Sequence, residues 1–236
     1  VADEYGFSNY DYPDDDDDFY YAIMNQNYND EGENSASTTN VDHANAVPAI
    51  STTSAELGEF IYGVPRQYYD IFMSLKCVKT LYQWQQEVLS IPEVIEKHHN
   101  LLYSLPTSGG KTIVAELLML RCIKIFEKKA ILVLPFVALV EEKKQSLDPL
   151  GDQLGFSVEA YYGSYGIFPL PPNNFLGVAT IEKANIMLNS LIEEDRINEL
   201  GCIVIDELHM IGDSTERGQI LESILTKVCY MNKYCN

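Results

Sequence analysis

Two short stretches hold the residues whose types and spacing can do chemistry. The first is Pro106, Thr107, Ser108, Gly109, Gly110, Lys111 and Thr112, set between an apolar run and a helical pattern. Adjacent glycines let backbone N–H groups close on an anion with no Cβ in the way. The N-terminus of the following helix adds positive partial charge. In that frame Lys111 reaches the β- and γ-phosphates of a nucleotide and the Thr112 hydroxyl ligates Mg²⁺. The G-x-x-x-x-G-K fingerprint expects a small residue at its first position, where Leu105 stands. A Gly-Lys-Thr triplet alone is weak; its strand–loop–helix context favours phosphate binding over an ordinary turn.

The second stretch is Asp206, Glu207, Leu208 and His209, directly after the apolar residues 202–205. A strand ending in Asp-Glu delivers two carboxylates to the C-terminal edge of a parallel sheet, where α/β proteins bind ligands. Two acids there are costly unless a metal or a proton compensates them. Asp206 suits a Mg²⁺ held through water, and Glu207 suits a general base on an attacking water. An isolated acidic pair after a strand is more often a helix N-terminal feature. Its pairing with the glycine loop upstream favours chemistry. His209 reads either as an inert surface residue or as a link to a neighbouring motif. His98 and His99 sit in a polar loop with no assigned role.

These residues need elements to position them. Pro65 can open a helix, and Tyr68, Ile71, Phe72 and Leu75 then recur at helical spacing. A second helix spans 81–90. Apolar runs of strand length then alternate with helical patterns. Strands are expected at 101–105, 130–134, 157–162, 177–180 and 202–205, and helices at 111–128, 137–147, 182–195 and 217–231. Continuous apolar strands such as 130–134 and 202–205 read as buried on both faces. The fold class is therefore α/β, a parallel sheet with helices on both faces.

Charge divides the chain. Of 35 acidic residues, thirteen lie in residues 1–56, which hold none of the 16 Lys and Arg. The first Leu is Leu57. So few large aliphatics cannot offset the entropy of ordering, so residues 1–56 read as a disordered acidic tail and 57–236 as the folded domain. Tyr10, Tyr12, Phe19, Tyr20 and Tyr21 cluster around the acidic run at 14–18. The segment reads either as a solvated leader or as a docking motif for a protein partner. A net charge of −19 argues against a basic, charge-driven nucleic-acid binder. No apolar run approaches a membrane span. Five Cys without a C-x-x-C pair read as reduced, mostly buried thiols. The chain opens on Val1 and ends just after a helix, and reads as part of something longer.

PTSGGKT, DELH, the stretch LPFVALVEEK (134–143) and ATIEK (179–183) resemble motifs I, II, Ia and Ib of superfamily 2 DExH helicases. Within them the chain looks most like the group of POLQ-like helicases and the helicase domain of DNA polymerase theta. The resemblance covers about residues 60–231. It implies a RecA-like, P-loop NTPase fold for 57–236, the first of two such domains, the second being absent from this chain. LYQWQQEVL (81–89) resembles the Q motif, which implies that Gln85 reads adenine through its amide. Motifs Ia and Ib imply that Pro135, Phe136, Ala138, Thr180, Glu182 and Lys183 line a contact with the single-strand backbone. Small residues and backbone N–H groups can grip phosphates without much net charge.

The resemblance thus implies an ATP- and Mg²⁺-dependent helicase of single-stranded or forked DNA, of 3′-to-5′ polarity, in the nucleus and in repair, with no membrane association. A phosphoryl-stabilising arginine comes from the second domain in such proteins. This chain alone is therefore expected to bind ATP weakly and to hydrolyse it barely. Two other readings stay open: a truncated, non-catalytic nucleotide-binding interaction protein, and an RNA-directed DExH helicase.

Overall fold

A computed structural model describes residues 59–106 and 109–234. The expected acidic tail at 1–56, and Thr107 and Ser108 of the glycine loop, lie outside the described residues. A small hairpin of β1 (Phe60–Ile61) and β2 (Val64–Pro65) leads into helix α1 (Arg66–Leu75). Short helices α2 (Gln83–Val88) and α3 (Pro92–Ile95) follow. The α/β body then runs α4 (Lys111–Ile125), β3 (Lys129–Leu134), α5 (Val137–Leu154), β4 (Ser157–Tyr161) and β5 (Phe175–Thr180). It ends with α6 (Ile181–Glu193), β6 (Leu200–Ile205) and α7 (Glu216–Tyr234). Among the described residues no helix is long and apolar enough to cross a membrane.

β3 to β6 form one parallel sheet in the order β4-β5-β3-β6. Strand alternation splits its apolar residues between two cores. Ala130, Leu132, Leu134, Leu176 and Val178 face one core, with Val114, Leu117 and Leu120 of α4 and Val140, Leu147 and Leu150 of α5. Ile131, Val133, Phe175 and Ala179 face the other, with Leu188 of α6 and Leu221 and Ile224 of α7. Helices therefore cover both faces, as the apolar runs predict. Fully burying each Leu or Ile contributes roughly 1.5–3 kcal/mol.

The register sets the strand ends level. Leu134 pairs with Thr180, Tyr161 with Ala179, and Val133 with Ile205. The residues that follow these strands, Pro135, Tyr162, Ile181 and Asp206, consequently emerge along one edge of the sheet. That shared edge is what the chemistry needs.

Three expectations change. Residues 101–105 join no ladder; Leu101, Tyr103 and Leu105 turn inward against the first core while Leu102 and Ser104 face out. The segment is extended but held by side chains. β6 borders the sheet, so its apolar residues 202–205 are only partly buried rather than covered on both faces. Helix α5 passes through Pro149 to Leu154 instead of stopping at 147. Burial of Leu150, Gly151 and Leu154 carries it past the lost proline N–H, and Gly155 ends it at φ +70°.

Candidate functional site

The glycine loop is built around Gly110, which precedes α4 at φ +73°. A Cβ at this position would stand 2.8 Å from Gln85 Nε2, so both backbone and space demand glycine. Gln85 itself is 1% exposed. Its Nε2 donates to the Gly110 carbonyl (2.8 Å) and its Oε1 accepts from the Tyr82 N–H (2.8 Å). This amide ties α2 to the loop, leaving one donor and one acceptor valence of the group unused.

Lys111 opens α4 and its Nζ donates to the carbonyls of Leu105 (2.9 Å) and Pro106 (3.2 Å). An ammonium resting on two neutral carbonyls keeps its full charge for an anion. Thr112, next along the helix, is exposed. The Tyr103 hydroxyl donates to the Lys111 carbonyl over 2.8 Å. Burial, with the Asp206 carboxylate as a second cause, pushes the Tyr103 hydroxyl up to about 12. Tyr103 is thus tied to the first residue of α4 and remains protonated.

At the end of β6 the Asp206 N–H donates to the Val133 carbonyl (3.1 Å), which fixes the acid against β3. Asp206 Oδ1 accepts from the Glu207 N–H (3.0 Å), and both acids are exposed. Glu207 sits at φ +57°, a left-handed conformation that costs a non-glycine residue energy. Glu207 Oε2 lies 3.2 Å from His209 Nδ1, which orients the carboxylate across the following short 3₁₀ turn, Leu208–Gly212. The residues suit a nucleotide and its metal: a cradle that a Cβ would fill, a lysine with replaceable partners, and an exposed hydroxyl and carboxylate.

The six expected strand contacts share the same edge but differ in access. Phe136 and Ala138 are exposed, Glu182 and Lys183 partly so, whereas Pro135 and Thr180 are buried. For the last two, a ligand can meet only the neighbouring backbone. Burial alone would raise the Glu182 carboxyl. Its own backbone N–H, Thr180 and Arg217 outweigh that and hold it below the usual carboxylate range.

Sequence reasoning passed over Arg217, in the first turn of α7. Its Nε donates to Glu182 (2.8 Å) and its guanidinium lies 5.6 Å from the Phe136 ring centroid. An open depression of about 560 Å³ lies here, lined by Phe136, Glu182, Met210, Asp213, Arg217 and Ile220. Gly218 packs so tightly under the 3₁₀ turn that a Cβ would meet the Asp213 carbonyl at 2.3 Å and that of Met210 at 3.0 Å. Arg217-Gly218 therefore clamps the acid-bearing turn to the strand-contact residues. The only sequence signal was an arginine-glycine pair at a helix start.

Against known proteins, the family described as DEAD/DEAH box helicase matches residues 82–234. The human protein named Helicase POLQ-like is 45% identical over 191 residues, 80% of this chain and 17% of that protein. Mouse DNA polymerase theta is 43% identical over 176 residues, 73% of this chain and 7% of that protein. The chain thus spans under a fifth of the length of these relatives. The crystal structure of the DUF1998 helicase MrfA superposes with a TM-score of 0.52 at 19% identity, covering 70% of this chain and 27% of that one. That likeness concerns the fold alone.

Proposed function

We propose that this chain, which belongs to the DEAD/DEAH box helicase family, is the nucleotide-binding lobe of an ATP-driven helicase that moves along single-stranded or forked DNA in nuclear repair. The observation that carries the reading is the position of Tyr103. Its hydroxyl bonds the Lys111 carbonyl and so steadies the start of α4, where the glycine loop delivers its lysine.

Bound ATP with Mg²⁺ supplies the phosphoanhydride bond whose hydrolysis powers the cycle. The Gly109 and Gly110 backbone, with the α4 N-terminus, holds the phosphates, and Lys111 exchanges the Leu105 and Pro106 carbonyls for phosphate oxygens. Thr112 and Asp206 would hold the metal. Glu207 takes the proton from the attacking water, its carboxylate steadied by His209. Gln85 keeps the loop in shape, and its remaining donor and acceptor are the groups that would read the base. Phe136, Ala138, Glu182, Lys183 and the backbone beside Pro135 and Thr180 meet the strand.

The test is ATP turnover by the full-length protein. Lys111→Ala should abolish it, and single-stranded DNA should stimulate the unsubstituted protein more than RNA does. Retained turnover in the variant removes the assignment of the loop; preferential stimulation by RNA removes DNA as substrate.

A further inference from the structure

The connection from β4 to β5 runs over residues 162–174 and crosses from one edge of the sheet to the other without a helix. Residues 163–174 contain no charged side chain, in a chain whose net charge is −19. The segment is nonetheless firmly built. The Tyr165 N–H donates to the Tyr162 carbonyl (2.7 Å), closing a tight turn. The two rings lie 4.9 Å apart at 31°, and the Tyr162 hydroxyl donates to Glu141 on α5 (2.7 Å). Gly166, at φ +117°, lies against the buried ring of Tyr161; a Cβ there would come within 2.4 Å of it. The Phe168 ring then meets Tyr161 edge to face, 5.6 Å between centroids.

The construction turns apolar rings outward instead of hiding them. Tyr165 is 64% exposed and Phe168 36%. Lys183 Nζ stands 5.5 Å from the Phe168 centroid, on the first turn of α6. Rigid, uncharged aromatic faces beside one ammonium are the chemistry that accepts flat bases while a phosphate passes the cation. We propose that Tyr165 and Phe168 form a stacking platform for the bases of single-stranded DNA whose backbone runs past Lys183. This inference rests on the proposed function, to which it adds base contacts at residues outside the expected set.

The experiment uses the full-length protein and two oligonucleotides of equal length, one carrying 2-aminopurine among normal bases and one with an abasic run. The unsubstituted protein should bind the normal strand more tightly and perturb 2-aminopurine emission. Tyr165→Ala, at an exposed site, should weaken binding of the normal strand roughly five- to a hundredfold. It should leave the abasic strand unaffected, and Tyr165→Phe should restore binding. Lys183→Ala should weaken both strands and lower the salt dependence. Equal effects of Tyr165→Ala on both strands, or none on either, overturn the platform and leave the proposed function standing. Loss of a bound polypeptide with both strands unaffected makes the surface a protein contact and overturns it too. Failure of the unsubstituted protein to bind either strand overturns both proposals.

Discussion

Arg217 Nε donates to Glu182 Oε1 over 2.8 Å, joining the first turn of α7 to the first turn of α6. One partner belongs to the helix that follows the Asp206–Glu207 turn. The other belongs to the proposed strand contact. A movement of the acid-bearing turn would be passed through this pair to the proposed strand contact.

Arg217→Ala is expected to cost little stability, about 0.5–1 kcal/mol, because both partners are near 40% exposed. DNA stimulation of ATP turnover in the full-length protein should fall at least several-fold while basal turnover persists. Arg217→Lys, which keeps the charge and loses the fixed fork, should recover it in part. Stimulation equal to that of the parent shows that the pair transmits nothing.

Removing the Gln85 amide strands two backbone groups. Gln85→Ala leaves the Tyr82 N–H and the Gly110 carbonyl without this partner, a loss of about 1–3 kcal/mol. Nucleotide affinity should drop with it, because the loop loses its tie to α2. Denaturant unfolding and titration with a fluorescent ATP analogue report the two effects separately.

Gly110→Ala tests the cradle itself. Its left-handed backbone costs an L-residue about 1–2 kcal/mol, and the new methyl would push Gln85 Nε2 from 2.8 Å. Nucleotide binding should be lost with the fold retained, as read by circular dichroism beside the same titration. Unchanged affinity places the anion elsewhere.

A pH effect follows from the other end of the sheet. Arg196, then Lys129, hydrogen-bond Glu199 and hold its carboxyl at about 2 against an ordinary 4.5. A carboxyl depressed on folding stabilises the protein fully above its unfolded value, and loses that contribution as pH falls through the folded one. Lys129 is 1% exposed and without Glu199 retains the Pro172 carbonyl (3.1 Å). Glu199→Gln should therefore cost about 1–3 kcal/mol at pH 7, and the difference should shrink between pH 4.5 and 2. Denaturant titrations across that range measure it.

What the sequence showed and what it hid have physical reasons. Gly109, Gly110 and Lys111 are contiguous, and Asp206 follows a strand, so the sequence alone suffices to propose their chemistry and the structure places each at an element end. Tyr103 reads only as part of an apolar run, although its hydroxyl holds the Lys111 carbonyl. Apolar content cannot tell a laddered strand from the side-chain-held segment 101–105, nor an inner strand from β6 at the border. Both distinctions depend on strand order, which is long-range. Arg217 and Glu182 lie 35 residues apart. The helix expected to end at 147 runs on through Pro149 because burial beyond it outweighs one missing hydrogen bond.

The bordering position of β6 has a colloidal consequence. Along its outer side a row of backbone N–H and C=O groups has no ladder partner among the described residues, beside half-covered Ile203, Val204 and Ile205. Such a rim is adhesive, because another extended chain can continue the sheet there. The surplus of 19 negative charges opposes that encounter by holding like molecules apart. Salt shortens the reach of the repulsion to about 3 Å at 1 M, so concentrated solutions of this 236-residue chain by itself should cloud as ionic strength rises and keep best when it is low.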